Sequence, residues 1–144
     1  MINTPLVAQA LEIAVNAHSG QKDRAGVPYI FHPLTVASNM ENELCVATAL
    51  LHDVPEDTEI SVNVLKDIYR LPDEVIEALR LLTHDKSVPY MDYIKNIASN
   101  AIAKKVKMSD LTHNMDISRL NNPGQKDYDR VSKYKNAYEY LNAH

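Results

Sequence analysis

The sequence is poor in cysteine, glycine, phenylalanine and tryptophan: it has one cysteine, three glycines, one phenylalanine and no tryptophan, although it has eight tyrosines. The single cysteine, Cys45, excludes an internal disulfide and any zinc site built from several cysteines. Because glycines are few and most of the prolines stand where a helix begins or breaks, the chain is typical of helices joined by short turns.

A strong excess of either charge sign is also missing. The sequence has 15 Lys and Arg against 19 Asp and Glu, a net charge of −4. This balance gives no positive field for a long polyanion, so we expect no long nucleic acid as a partner. No apolar run reaches the ~20 residues that span a bilayer, and the first residues lack the basic region and cleavage site of a signal peptide. We therefore expect a cytoplasmic protein without a membrane segment.

The sequence does contain apolar residues at helical spacing, without a strand-like alternation of useful length. A length of 144 residues, 45% of them hydrophobic, fits one domain with a substantial core. Thr4 is a suitable N-cap ahead of Pro5. Further helices are expected to start near Pro33, Glu43, Ser61, Pro72, Pro89, Asn100 and Asp127, with His32 capping the helix at Pro33. We predict an all-α helical bundle, a single domain over residues 1–144.

One apolar helix runs directly into a polar cluster in the stretch LLHDVPEDT. It carries His52, Asp53, Glu56 and Asp57, and Pro55 indicates a helix end within it. Imidazole nitrogen combined with carboxylate oxygen suits manganese, iron or zinc. A His-Asp pair taken alone is common by chance, and a solvated helix end is the alternative interpretation.

Two further segments carry residues of the same chemical types. His32 lies among apolar residues in YIFHPL, where it could also cap a helix or fill a buried hydrogen bond. In KVKMSDLTHNM, Asp110 and Asn114 are four apart and so share one helix face. His113 is expected to serve as a hydrogen-bonding neighbour. The alternative for Asp110 is an acid that faces solvent.

Four segments together resemble a known family. AHSGQ at 17–21, GVPYIFHP at 26–33, ALLHDVPEDT at 49–58 and KMSDLTHNM at 107–115 are similar, in the same order, to the hydrolase domain of the RelA/SpoT alarmone enzymes. These belong to the HD-domain metal-dependent phosphohydrolases. The chain stops where the long members begin a synthetase domain. The resemblance therefore implies an HD-type bundle and a small stand-alone hydrolase of the MESH1-like group, without synthetase activity.

The resemblance also implies roles for individual residues. His32, His52, Asp53 and Asp110 match the family's metal ligands, for which manganese is usual. The family removes the 3′-pyrophosphate of ppGpp or pppGpp, which gives GDP or GTP. A dication suits this reaction because it polarises phosphoryl oxygens and lowers the pKa of its water.

Three more residues match positions that act on the substrate. Glu56 and Asp57 match the family's pair beside the scissile phosphate, which positions or activates water. Two adjacent carboxylates also raise the pKa of one of them, so the pair can hold both a proton acceptor and a donor. Asn114 matches a residue that contacts the nucleotide.

A polyphosphate substrate needs positive charge around this acidic centre. The candidates are Lys22 and Arg24, in the loop before His32, and Lys107, just ahead of Asp110. The alternative for all three is ordinary solvation at the surface. Arg24 is the strongest candidate, because a guanidinium can stack on a purine or pair with phosphate through two hydrogen bonds.

The sequence departs from the family pattern at three positions. Asp23 takes the first place of a basic pair, which puts base recognition in doubt. Pro55 replaces an aliphatic residue, and we expect it to displace the Glu56–Asp57 pair relative to the metal. Leu111 stands where an arginine is common, and this substitution is interpreted as the loss of one charge from the pocket rim.

Several alternative functions stay open at this level. The metal centre could serve an adenosine alarmone such as pppApp, the 2′-phosphate of NADPH, or a nucleoside monophosphate. A non-catalytic module that binds an alarmone would not need the Glu56–Asp57 pair. A plain helical interaction domain would make all four segments coincidental. The tyrosines of YKNAYEY are interpreted as the packed face of a C-terminal helix or as a contact between subunits of a homo-oligomer.

Overall fold

The structure is a computed structural model that describes every residue from Met1 to His144. It consists of nine α-helices and one 3₁₀ turn, Ile117–Arg119, and it confirms the predicted all-α class. The helices are α1 Pro5–Ala17, α2 Phe31–Ser38, α3 Glu43–Leu51, α4 Val54–Asp57, α5 Val62–Asp67, α6 Asp73–Leu82, α7 Tyr90–Ile97, α8 Ala101–Met115 and α9 Gln125–Ala143. Extended backbone pairs only at an isolated bridge between Lys22 and Pro28. None of the helices combines the length and the hydrophobicity needed to cross a bilayer.

Short polar side chains begin several helices, as their local sequence predicts. The side chain of Thr4 accepts a hydrogen bond from the Val7 amide at 3.3 Å, and that of Asn100 accepts one from the Ala103 amide at 2.9 Å. Ser61 does the same for α5, and Asn42 for α3. Each bond satisfies an amide that has no partner within its own helix.

The second helix begins two residues earlier than the proline suggests. The amide of His32 donates to the Tyr29 carbonyl and that of Phe31 to the Pro28 carbonyl, so the backbone is already wound before Pro33. His32 therefore lies in the first turn of α2, and the prediction that it caps the helix is wrong. Proline is tolerated in that first turn because its missing N–H would have no partner there.

The short helix α3 forms the centre of the bundle. Its residues from Cys45 to Leu51 are all buried, and it packs against α1, α2, α6 and α8. The last helix, α9, covers α7 and α8 and buries Ala137 and Leu141. The polar segment that follows Leu51 therefore starts from a fixed point in the core and faces α2 and α8.

Candidate metal centre and flanking cleft

Four predicted ligands come together where three helices meet. His32 lies on α2, His52 and Asp53 follow the end of α3, and Asp110 lies on α8. One ligand atom from each of the four lies within 4.8 Å of the others. Both imidazoles and Asp110 are buried. The alternative in which Asp110 faces solvent is wrong, because the helix turns this face toward α2 and α3.

The two nitrogens of His52 have different partners. Nδ1 lies 2.6 Å from the Ala49 carbonyl oxygen, and because a carbonyl only accepts, this nitrogen carries a proton. Nε2 then faces carboxylate oxygens of Asp53 at 3.1 Å and Asp110 at 3.3 Å. A neutral imidazole would set its lone pair against these oxygens. A positive charge between them, from a proton or a metal ion, removes that repulsion.

Electrostatics supports the same conclusion. Burial alone would lower the pKa of His52, but the carboxylates of Asp53 and Asp110 raise it well above its ordinary value. The surroundings of this imidazole therefore favour a cation at the point where the four side chains meet.

The imidazole of His32 is held from both sides. Its Nε2 lies 2.9 Å from Asp110 Oδ1, and its Nδ1 lies 2.7 Å from His113 Nδ1. The two rings are stacked with their centroids 4.9 Å apart. A hydrogen-bond partner on the far nitrogen fixes the orientation of a ligand imidazole, which is the role expected for His113.

Both aspartates of the cluster are held in the ionised form. Burial would raise the pKa of Asp110, but Lys107, whose Nζ lies 2.9 Å away, brings it well below the usual range. Burial likewise opposes ionisation of Asp53, and the charge of His52 overcomes it and lowers the Asp53 pKa to about 2. Tyr29 donates its hydroxyl proton to Asp53 at 2.5 Å. Ionised carboxylates are the form in which aspartate binds metal.

The next two acids lie on the single turn α4. Glu56 Oε1 accepts from the His84 amide at 2.6 Å, and Gln21 donates its side-chain amide to the Asp57 carbonyl at 3.1 Å. Burial, followed by neighbouring carboxylates that include Asp53, raises the pKa of both acids. Pro55 lies in the first turn of α4, where a proline is tolerated. It therefore belongs to the start of a new helix and does not only mark the end of α3.

A cleft with two chambers flanks the cluster. The inner chamber, of about 220 Å³, is lined by the acids Asp53, Glu56, Asp57 and Asp110 together with Lys107 and Lys133. The outer chamber, of about 350 Å³, is lined by the cations Lys22, Arg24, Arg119 and Arg130 together with Asp23 and Asp127. Tyr29, Asn114 and Tyr134 line both chambers, so the two adjoin one another.

Most cations of the outer chamber are paired with acids. Arg24 lies 2.6 Å from Asp127 on α9, and Arg130 lies 3.1 Å from the same carboxylate oxygen. Arg119 reaches Asp23 at 3.3 Å across 96 positions of sequence. The predicted substrate residues Lys22, Arg24 and Asn114 thus line one cavity, while sequence reasoning missed Arg119 and Arg130. No local pattern marks those two, because tertiary structure brings them to the loop: Arg119 from the 3₁₀ turn and Arg130 from α9.

The first departure from the family pattern, Asp23, has a structural role. Its Oδ1 accepts from the amides of Ala25 at 2.8 Å and Val27 at 3.0 Å, and its Oδ2 pairs with Arg119. Asp23 therefore orders the loop that carries Lys22 and Arg24. It also draws a replacement positive charge to the cavity wall from the 3₁₀ turn.

Three interpretations from the sequence need correction. Leu111 is fully buried in the core and does not lie at the pocket rim, so the interpretation that it removes a charge from that rim is wrong. Lys107 is not solvated at the surface, because its ammonium is held by Asp110. His84, to which the sequence assigned nothing, donates its amide to Glu56 and stacks its ring on Tyr93 at 4.4 Å.

Comparison with known proteins places this arrangement in a family, although no protein-family profile matches the chain. The guanosine-3′,5′-bis(diphosphate) 3′-pyrophosphohydrolase MESH1 of Danio rerio is 30% identical over 146 residues, which cover 92% of this chain and 79% of that protein. The human protein of the same name is 30% identical over 145 residues, covering 88% of this chain and 76% of its own length. The chain belongs to the MESH1 family.

The likeness extends to longer proteins and to a solved fold. A probable guanosine-3′,5′-bis(diphosphate) 3′-pyrophosphohydrolase of Synechocystis is 30% identical over 125 residues, and the match covers only 16% of that protein. A solved structure described as a metazoan ortholog of SpoT that hydrolyzes ppGpp superposes with a TM-score of 0.79 at 24% identity, covering 98% of this chain and 87% of its own. This MESH1-family chain therefore has the fold that the sequence resemblance implies.

Proposed function

We propose that this MESH1-family protein is a manganese-dependent hydrolase that removes the 3′-pyrophosphate of guanosine alarmones. It would convert ppGpp to GDP and pppGpp to GTP, each with release of pyrophosphate. The observation that carries the proposal is the convergence of two imidazoles and two carboxylates beside the Glu56–Asp57 pair, in the wall of a cation-lined cleft. The names of the full-length relatives supply the substrate class.

The four-residue cluster fits a divalent ion. His52 donates its Nδ1 proton to the Ala49 carbonyl, so its Nε2 faces the two ionised carboxylates and is placed to bind a cation, and His32 is fixed by His113. Two nitrogen and two oxygen donors suit an ion of borderline hardness such as manganese. When bound, such an ion supplies Lewis-acid polarisation of phosphoryl oxygens and acidifies its water.

The Glu56–Asp57 pair provides the proton transfers. In hydrolysis the water oxygen forms a bond to the phosphorus, the bond from that phosphorus to the 3′ oxygen breaks, and the 3′ oxygen leaves with a proton. Because burial raises the pKa of both acids, each holds a proton to a higher pH than an exposed carboxyl does, so one can donate a proton while its neighbour accepts one. We assign water activation to this pair, with Glu56 positioned by the His84 amide.

The outer chamber is suited to the nucleoside and its 5′-phosphates. Lys22 and Arg24 supply positive charge, and Asn114 lies between this chamber and the cluster. Tyr29 and Tyr134 line the junction and offer aromatic faces to a base. In this placement the 3′ substituent enters the inner chamber.

The deciding experiment incubates the purified protein with manganese and ppGpp and follows the release of GDP and pyrophosphate. We expect turnover that disappears in Asp53→Ala and persists in Glu59→Ala, a matched change at an exposed acid outside both chambers. Parallel reactions contain pppApp and NADPH. Turnover of only one of those two would replace the guanosine assignment, and binding of ppGpp without turnover of any nucleotide would indicate a non-catalytic module.

A further inference from the structure

Two lysines in the cleft have no acidic partner. The lining of the two chambers includes six cationic side chains: Lys22, Arg24, Lys107, Arg119, Arg130 and Lys133. Four of them lie within 4.0 Å of a carboxylate oxygen. The two that do not are Lys22, in the outer chamber, and Lys133, in the inner chamber. Each chamber therefore has one ammonium that is free to bind a phosphate.

Lys133 is held at the wall of the inner chamber by an aromatic ring. Its Nζ, at the end of a side chain from α9, lies 4.1 Å from the centroid of the Tyr90 ring on α7. A cation over a ring face is attracted by the π system but keeps its hydrogen bonds available. The hydroxyl of Tyr90 is buried and has no hydrogen-bond partner within the protein. Both groups at this wall thus have unused capacity to bind an anion.

The other lysine of this chamber is already occupied. Lys107 lies 2.9 Å from Asp110, whose carboxylate belongs to the metal cluster. Four carboxylates line the same space and would repel a phosphate that entered it without further positive charge. A diphosphate that reacts at the cluster must place its second phosphate group nearby. Lys133 is the only cation of the inner chamber that is not bound to an acid.

We infer that Lys133 binds the distal phosphate of the 3′-diphosphate and, after cleavage, the same phosphate of the pyrophosphate product. The inference rests on the proposed function for the identity of the substrate, and it names a binding residue that the sequence did not indicate. The flexible four-carbon stem of lysine lets the ammonium move from the ring face to the phosphate. A group that carries only one phosphate at the 3′ position would not reach Lys133.

The test measures how strongly pyrophosphate and inorganic phosphate inhibit ppGpp hydrolysis in the variants Lys133→Gln and Lys133→Arg. The matched control is Lys135→Gln, at an exposed lysine on α9 that lines neither chamber. Loss of one charge-assisted contact predicts about tenfold weaker inhibition by pyrophosphate in Lys133→Gln. Inhibition by inorganic phosphate should not change. Lys133→Arg should restore most of the pyrophosphate inhibition, and Lys135→Gln should match the unmodified protein. Equal pyrophosphate inhibition in Lys133→Gln and the unmodified protein would overturn the inference, as would an equal weakening for both anions.

Calorimetry separates this inference from the proposed function. Pyrophosphate is titrated into the manganese-loaded protein, with the same metal concentration in cell and syringe, and no nucleotide is present. Weaker pyrophosphate binding in Lys133→Gln supports the site even if ppGpp is not hydrolysed. Unchanged binding rejects the site even if ppGpp is hydrolysed. Thermal unfolding of each variant verifies that the fold is intact.

Discussion

Asp110 joins more groups than any other side chain of the cluster. Its carboxylate is contacted by His32, His52, Lys107 and Asn114. A buried carboxylate needs such partners, because an uncompensated charge in the interior is costly. The proposed ligand set therefore includes a structural ion pair, between Asp110 and Lys107.

Removal of Lys107 tests this pair. Lys107→Ala should destabilise the metal-free protein by about 3–5 kcal/mol, because breaking a buried pair leaves one charge unpaired. Urea denaturation provides the measurement. Added manganese should recover part of the loss, since a cation would again face Asp110. Lys105→Ala, at an exposed position of α8, should change the free energy of unfolding by less than about 0.5 kcal/mol. A small effect of Lys107→Ala would show that the pair contributes little.

The contact between His113 and His32, a proposed metal ligand, can be tested separately from the ligands. His113→Ala should lower manganese affinity about 10- to 100-fold, the range typical of outer partners of ligand histidines. The ligands themselves remain in place, so the fold should be kept. Calorimetric titration of the metal measures the effect, and Thr112→Ala, an exposed neighbour on α8, is the control. Equal affinity in the two variants would exclude an orienting role for His113.

Glu56 should destabilise the metal-free protein at neutral pH. Its pKa is raised in the folded state by burial and by Asp53, so the folded protein holds the proton to a higher pH than the unfolded chain does. The resulting contribution to stability is present below the unfolded pKa and is lost as pH rises through the folded pKa. In EDTA, Glu56→Gln should therefore unfold at a higher temperature than the unmodified protein at pH 7, and the difference should shrink toward pH 4.

Two comparisons make this prediction specific. Glu59→Gln removes an exposed acid that lines neither chamber, and the unfolding temperature of this variant should follow that of the unmodified protein across the pH range. Manganese should reduce the advantage of Glu56→Gln, because a dication near the carboxylates favours their charged form. An advantage that stays constant from pH 4 to pH 7 would contradict the assignment to Glu56 ionisation.

At the scale of single helices, short local signals set where elements begin. Asn100 and Ser61 cap helices as their sequence context indicates, because the capping contact spans only three residues. α4 was not expected, since Pro55 was interpreted only as the end of a helix. The proline nevertheless fits the first turn of a new helix, and that turn directs Glu56 and Asp57 toward the cluster.

The cap of α8 can be weakened without touching the cluster. Asn100→Ala should lower the free energy of unfolding by about 1 kcal/mol, the usual cost of losing an N-cap side chain. Manganese affinity should stay the same, because Asp110 and His113 lie in the last turns of this helix. Denaturation and metal titration together measure this, with Asn96→Ala, at an exposed position whose side chain makes no hydrogen bond, as the control. A large fall in affinity would mean that the cap also positions the ligands.

For the whole molecule, the cluster links α2, α3 and α8, which are far apart in sequence. Metal that binds only the folded state at 100 times its Kd adds about 2.7 kcal/mol, or roughly 5–10 °C in Tm for a chain of this size. Thermal unfolding with manganese should show this rise, and EDTA should reverse it. Asp53→Ala should show none. If manganese raised the Tm of Asp53→Ala by the same amount, the ion would bind at a site other than this cluster.

The sequence by itself determined the helical class, most helix starts and the residues that meet at the cluster, because periodicity, capping and matched segments are local patterns. Tertiary structure alone decided that Lys107 is held against Asp110, that Leu111 lies in the core and that Arg119 pairs with Asp23. These facts depend on which helix faces meet after folding. The position of Lys133 was also decided by tertiary structure. Helix α9 brings this lysine next to Tyr90 and the inner chamber, and no neighbouring residue in the sequence indicates that placement.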